Sequence, residues 1–165
     1  MDFRAKALLA AALAVVTATG ALARSGFKWE ELQLIDQKWP QAKATTTGLR
    51  YVVTREGQGE QPKAGDRVKV LYKGMFLDGR VFDQTLDPQK PFTFRLERGD
   101  VIAGWEEGIA LMRVGEQRTL IVPYDLAYGS RGKLPGIPRQ TSLVFEVELL
   151  SFETNPAATR ASAQP

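Results

Sequence analysis

The sequence has 165 residues, 44% of them hydrophobic, which is enough for one domain built around a single hydrophobic core. It has 22 basic and 19 acidic residues, and the net charge of +3 is spread along the chain without a dense basic block, so we expect no nucleic-acid partner. The sequence has neither Cys nor His, which excludes disulfides, thiol nucleophiles, His-based triads and nearly all transition-metal sites; we expect neither a metal nor a cofactor.

Residues 1–23 have the pattern of a secretory signal peptide. Arg4 and Lys6 precede the apolar run 7–16, and Ala21 and Ala23 supply the small residues that a signal peptidase recognises. The apolar run is shorter than the roughly 20 residues needed to cross a bilayer. We therefore expect cleavage after Ala23 and an exported protein, periplasmic or extracellular, with no stable membrane insertion.

Residues 24–48 are predicted to form a short N-terminal helix and a linker. Before Pro40, apolar residues recur at helical spacing among charged ones, at Phe27, Leu32, Ile35 and Trp39. The helix is too short for a long coiled-coil stalk, so packing on the outside of the domain is favoured over a dimer contact, and we expect a monomer. Residues 41–47 are polar and are predicted to be the linker.

From residue 49 onward the chain is predicted to consist mostly of β-strands. Segments rich in β-branched and aromatic residues occupy 49–54, 67–76, 81–82, 91–96, 117–122 and 143–152. Asp78 and Gly79 separate two of these segments and predict a hairpin turn, because glycine tolerates the positive φ of a tight turn. The sheet is therefore predicted to be mainly antiparallel.

One segment within this region has helical spacing. Its apolar residues fall at positions i, i+4 and i+7: Trp105, Ile109 and Met112. A helix packed across one face of a curved sheet is an α+β architecture. Trp105 lies in the first turn and follows Gly104, which lets the backbone or a ligand come close, so Trp105 is predicted at the rim of a pocket. Glu106 and Glu107 are predicted to be a solvated pair without acid–base function.

Six sequence blocks in this region point to a family. They are V-x-V-x-Y-x-G-M at 68–75, D-G-R-V-F-D at 78–83, K-P-F-x-F-x-L at 90–96, V-I-x-G-W-E-E-G-I-A-x-M at 101–112, L-A-Y-G at 126–129 and L-V-F-E-V-E-L-L at 143–150. In order and spacing they resemble the FKBP-type peptidyl-prolyl cis-trans isomerases throughout 49–152, which is predicted to be the isomerase domain. Residues 153–165, mostly Ala, Pro, Ser and Thr, are predicted to be a disordered tail.

The resemblance implies a strongly curved antiparallel β-sheet wrapped around one short α-helix, with a hydrophobic cleft between them and Trp105 as its floor. The implied catalytic residues are Tyr72, Asp83, Trp105, Tyr128 and Phe145. The implied substrate-binding residues are Phe82, Phe92, Val101, Ile102 and Ile137. The main-chain N–H of Ile102 and the hydroxyl of Tyr128 are expected to hold substrate carbonyls, and Asp83 is expected to polarise the site near the twisted amide.

The implied function is rotation of X-Pro bonds in exported proteins, with Pro-containing polypeptides as substrates and macrolides as inhibitors. One alternative is a chaperone or binding module that holds Pro-containing or unfolded segments without turning them over. Another is a structural β-domain whose cleft is plugged by its own N-terminal helix. Each alternative uses the same fold without catalysis.

Two loops depart from the family pattern. Pro88 stands where some members have an arginine, so the charge of Asp83 is expected to be balanced by Lys90 or by water. The loop after Tyr128 carries Arg131 and Lys133 where apolar or aromatic residues occur in other members. These departures bear on peptide preference and macrolide affinity more than on the basic activity.

Overall fold

The computed structural model describes residues 26–155, which form two α-helices, seven β-strands and one 3-10 helix. In chain order the elements are α1 Trp29–Lys38, β1 Lys43–Ala44, β2 Arg50–Arg55, β3 Arg67–Phe76, β4 Val81–Thr85, β5 Phe92–Arg95, α2 Ala103–Ala110, β6 Gln117–Val122, the 3-10 helix Tyr124–Leu126 and β7 Leu143–Glu153. The predicted signal peptide, residues 1–23, lies outside the described residues, as do residues 156–165 of the predicted tail. None of the helices within 26–155 is long and apolar enough to cross a bilayer.

The strands form one antiparallel sheet in the order β1-β2-β6-β7-β3-β4, and β5 also pairs with β3. The long central pair joins β3 to β7, from Arg67 opposite Glu153 to Phe76 opposite Leu143. On its other edge β3 pairs with β5 at its start and with β4 at its end. The α+β prediction is confirmed, and this arrangement brings β4 and β5 to the same edge of the sheet.

One face of the sheet packs against α2 and forms the main core. Successive residues of a strand point to opposite faces, and Leu120 of β6 therefore points toward α2 together with its β7 partner Phe145. The predicted helix face is buried: Trp105 is 4% exposed, and Ile109 and Met112 are fully buried. A Cβ at Gly108 would lie 2.7 Å from both methyl carbons of Leu120, so glycine is what lets α2 approach β6 so closely.

The opposite face of the sheet is covered by α1. Ile121 and Val144 point to this face and pack with Phe27 and Ile35 in a second, smaller hydrophobic cluster. The N-terminal helix therefore packs on the outside of the domain. Since α1 and α2 cover opposite faces, α1 does not plug a cleft beside α2, and that alternative is wrong.

Several boundaries differ from the sequence prediction. The predicted linker contains β1, in which Lys43 pairs with Tyr51, because an edge strand is held by backbone hydrogen bonds that a polar sequence does not reveal. The strand predicted at 81–82 continues to Thr85, which pairs with Tyr72 of β3. The last strand extends to Glu153, one residue into the predicted tail.

A buried ion pair lies at the C-terminal end of α2. The guanidinium of Arg118 donates to Glu116 Oε1 at 2.7 Å and to the main-chain carbonyl of Leu111 at 3.2 Å. Both charged residues are nearly inaccessible, with 6% of Arg118 and 3% of Glu116 exposed. Arg118 thus satisfies a helix carbonyl that the helix itself leaves without a partner.

Candidate functional site

A cavity of about 520 Å³ opens beside the first turn of α2, and aromatic side chains form its floor and inner walls. These are Tyr72, Phe82, Phe92, Trp105 and Phe145. The indole of Trp105 lies at their centre, with its ring centroid 4.9 Å from that of Tyr72 and 5.2 Å from that of Phe145, both edge to face. Its Nε1 is buried and has no hydrogen-bond partner within residues 26–155. The cavity is therefore a cleft with an aromatic floor at Trp105 and polar and charged residues around it.

Strand register brings these aromatic residues together. In β3, Gly74 lies opposite Phe145 of β7 on one side and Asp83 of β4 on the other. A Cβ at Gly74 would lie 2.8 Å from Phe82 Cζ and 3.0 Å from Phe145 Cε1, so glycine makes room for both rings. Phe92 reaches the cleft from β5, which pairs with the start of the same strand. Four of the rings belong to four separate strands of one sheet, and Trp105 joins them from α2.

At the rim, the hydroxyl of Tyr72 donates a hydrogen bond to Asp83 Oδ2 at 2.7 Å. Burial, and then this contact with a carboxylate, raise the pKa of Tyr72 to about 12. Within the described part of the chain Asp83 makes no ion pair. The expected pairing with Lys90 is therefore wrong: the protein group that Asp83 contacts is a neutral phenol.

The raised pKa of Tyr72 predicts a loss of stability in alkali. Between about pH 10 and pH 12 the unfolded phenol loses its proton while the folded phenol keeps it. The contribution of Tyr72 to stability is therefore complete below pH 10 and falls as the pH rises toward 12. The measurement is a pH titration of the near-ultraviolet absorbance of the wild type and of Tyr72→Phe. The difference between the two curves should show a step near pH 12. A step near pH 10 would show instead that burial and the contact with Asp83 do not hold the phenol neutral.

Two hydrogen-bond donors also line the cleft. Ile102 is the N-cap of α2, where its carbonyl accepts from Trp105 N at 2.9 Å. Tyr128 follows the 3-10 helix and faces the cleft from the other side. Neither the Ile102 N–H nor the Tyr128 hydroxyl donates to another residue between 26 and 155. Both are thus available to a carbonyl group bound in the cleft.

The two carboxylates that follow Trp105 have structural contacts. Glu106 accepts hydrogen bonds from the main-chain N–H groups of Glu97 and Gly99, the latter at 3.0 Å, and so holds the turn that leads into α2. Glu107 accepts from the Thr47 hydroxyl at 2.6 Å. Both side chains are half-buried, so the pair is only partly solvated, and neither residue lines the cleft.

Nine of the ten predicted site residues line this one cavity: Tyr72, Phe82, Asp83, Phe92, Val101, Ile102, Trp105, Tyr128 and Phe145. Ile137 is not part of the cavity lining; its backbone pairs with Lys133, which is. The prediction missed Asp100, Ala103 and Ala127 and did not assign Lys133 to the site. Of these four, only Asp100 and Lys133 could have been found from the sequence, because they are charged residues near predicted cleft residues.

A second cavity, of about 490 Å³, lies on the face of the sheet that α1 partly covers. Its charged residues are already paired, Lys73 with Glu146 at 3.5 Å and Arg55 with Glu148 at 2.6 Å beside it. It includes neither Trp105 nor Asp83. The cleft beside α2 is therefore the candidate site.

The chain is similar in sequence and in fold to known proteins. The FkpA protein of Escherichia coli K12, an FKBP-type peptidyl-prolyl cis-trans isomerase, is 44% identical over 123 residues, covering 74% of this chain and 43% of FkpA. FK506-binding protein 1 of Dictyostelium discoideum is 42% identical over 106 residues, covering 64% of this chain and 99% of that protein. The crystal structure of E. coli FkpA superposes with a TM-score of 0.68 at 40% identity, covering 77% of this chain and 59% of that chain.

The chain thus spans less than half the length of FkpA and matches nearly all of the shorter relative. A family model described as FKBP-type peptidyl-prolyl cis-trans isomerase matches residues 58–150, a segment that includes every aromatic residue of the cleft. This chain belongs to the FKBP-type peptidyl-prolyl cis-trans isomerase family.

Proposed function

We propose that this chain accelerates the cis-trans rotation of X-Pro bonds in polypeptides. The observation that carries the proposal is the cleft itself, an aromatic floor with two free hydrogen-bond donors at its sides. Family membership supports the same activity. The relatives' names associate this fold with peptidyl-prolyl isomerisation and with FK506 binding.

The reaction needs no nucleophile. An X-Pro bond prefers trans by only about 0.5–1 kcal/mol, yet rotation faces a barrier of about 18–20 kcal/mol because twisting removes amide resonance. Resonance places positive charge on nitrogen and negative charge on oxygen in the planar ground state, and this separation falls as the amide twists. A dry aromatic cleft therefore favours the twisted amide over the planar one. Each tenfold gain in rate requires about 1.4 kcal/mol of that preference.

Each cleft residue has a role in this proposal. The proline ring rests on Trp105 between the other aromatic rings, where water is excluded. The Ile102 N–H and the Tyr128 hydroxyl hold substrate carbonyls on either side of the rotating bond. Asp83, held by the Tyr72 hydroxyl at the rim, polarises the site near the twisted amide. These groups position and solvate the substrate without exchanging protons with it.

The proposed substrates are exported polypeptides that contain proline. Export is inferred from the signal-peptide pattern of residues 1–23, and the proposed location is periplasmic or extracellular. Macrolides of the FK506 type are proposed inhibitors, because they would occupy the same apolar cleft. We further propose that the chain acts as a monomer, since α1 packs on its own domain through Ile35.

A protease-free isomerisation assay tests this function. A Leu-Pro tetrapeptide, displaced from its cis-trans equilibrium by a solvent jump, should relax faster with the protein than without it. An FK506-type macrolide should abolish the acceleration. Equal relaxation rates with and without protein would overturn the proposal.

The assay also separates catalysis from the chaperone alternative. Peptide binding can be followed by Trp105 fluorescence in a Trp29→Phe/Trp39→Phe background, which leaves Trp105 as the only tryptophan. Binding without faster relaxation would favour the non-catalytic binding module. Binding together with faster relaxation supports the isomerase.

A further inference from the structure

The loop between the 3-10 helix and β7 is strongly basic. Residues 129–141 contain Arg131, Lys133 and Arg139 and no carboxylate. Of the three cations only Lys133 lines the cleft. Its ammonium lies 5.5 Å from the ring centroid of Tyr128, over the aromatic face. One positive charge is therefore held at the mouth of the candidate site.

The backbone around Lys133 is fixed. Lys133 N donates to the carbonyl of Ile137 and Ile137 N donates to the carbonyl of Lys133, both at 2.9 Å, which closes a small hairpin. The preceding Gly132 donates to the Tyr128 carbonyl at 3.1 Å and has a φ of +68°, and a Cβ there would lie 2.5 Å from the Ile137 carbonyl. The hairpin therefore presents Lys133 to the cleft from a defined position.

The other charged residues of the cleft are two carboxylates, and each accepts a hydrogen bond from a neutral donor. Asp83 accepts from the Tyr72 hydroxyl at 2.7 Å, and Asp100 accepts from the Arg95 main-chain N–H at 3.1 Å. Within residues 26–155 the Lys133 ammonium makes neither an ion pair nor a hydrogen bond. Lys133 is therefore the charged cleft residue that is most available to a bound peptide.

We propose that Lys133 is a specificity-determining residue that selects polypeptides carrying an Asp or Glu side chain within two residues of the proline. The inference rests on the proposed function, because it concerns the same cleft and the same substrates. Lys133 is exposed, so a carboxylate next to it would form an ion pair of modest strength that salt screens. A lysine at the same peptide position would be repelled.

Three matched peptides test this selection. They share a Leu-Pro core and differ by Glu, Gln or Lys at the position before Leu or after Pro. At low salt the Glu peptide should bind about fivefold more tightly than the Lys peptide, and salt should weaken this preference. Lys133→Gln should bring the ratio close to one, and Lys133→Glu should reverse it. Arg139→Gln makes the same charge change on the same loop outside the cleft lining and should leave most of the preference intact.

Binding and turnover distinguish the two proposals. Binding is measured by Trp105 fluorescence in the Trp29→Phe/Trp39→Phe background, and turnover is measured separately with the Gln peptide. Absence of Gln-peptide turnover would overturn the isomerase function, and the binding ratios would still test the role of Lys133. Equal binding of the Glu and Lys peptides would overturn the role of Lys133 even if turnover is normal. A preference that survives Lys133→Gln unchanged would overturn it as well.

Discussion

Replacing Trp105 with alanine should lower kcat/KM for a Leu-Pro peptide by at least about tenfold, equivalent to 1.4 kcal/mol of lost transition-state binding. The indole is the floor of the cleft and is nearly enclosed, with 4% of its surface exposed. It contacts the rings of Tyr72 and Phe145 edge to face. Removing it enlarges the cleft and admits water, so the rotating amide loses its dry environment. The same change should lower the free energy of unfolding by about 3–5 kcal/mol.

A loss this large requires a control for folding. Trp105→Phe keeps an aromatic ring and should give an intermediate kcat/KM, with near-ultraviolet circular dichroism measuring the folded fraction of each variant. Trp29→Ala is the matched control, because Trp29 is 69% exposed on α1 and its loss should change stability by less than about 0.5 kcal/mol. A folded Trp105→Ala protein with the wild-type kcat/KM would contradict the proposed role of the indole.

Arg118→Met should destabilise the protein by about 3–5 kcal/mol, because it leaves the Glu116 carboxylate buried without its cation. Arg118 also donates to the carbonyls of Gly108 and Leu111, and its guanidinium lies 4.6 Å from the ring centroid of Tyr51. The substitution therefore also removes the hydrogen bonds to the last carbonyls of α2 and a cation–π contact. Urea unfolding followed by circular dichroism measures the loss.

Two further variants separate the charge effect from general disruption. Adding Glu116→Gln to Arg118→Met removes the uncompensated carboxylate and should recover part of the lost stability. Arg80→Met removes an exposed ion pair with Asp78 and should cost much less stability than Arg118→Met. Equal losses for Arg80→Met and Arg118→Met would show that burial does not strengthen the Arg118–Glu116 interaction.

The sequence predicted most of the sheet because strand periodicity is local. β3 and β6 have the predicted bounds, since alternating apolar residues there mark a buried and an opposite face. The helical spacing of Trp105 and Ile109 likewise identified α2 and its buried face. The cleft was predicted through the family resemblance, because no local pattern shows that Phe92 and Phe145 both contact Trp105.

Other features depend on tertiary contacts that a sequence pattern does not encode. Nothing local marks Arg118 as buried, since arginine is usually exposed, and its burial follows from the ion pair with Glu116. The two-residue strand β1 exists because its backbone pairs with β2. Lys133 and Ile137 form one hairpin, of which Lys133 lines the cleft and Ile137 does not, and the sequence alone does not show which of the two it is.

The central claim is that the cleft lowers the rotation barrier by solvating the twisted amide, without proton transfer. The most direct test is kcat/KM for a neutral Leu-Pro peptide, measured in H₂O and in D₂O across the near-neutral pH range. We expect a solvent isotope ratio of about one and a flat profile, because no group gives or takes a proton in the transition state. A ratio of about two or more, or a bell-shaped profile, would contradict the claim and indicate general acid–base catalysis in the cleft.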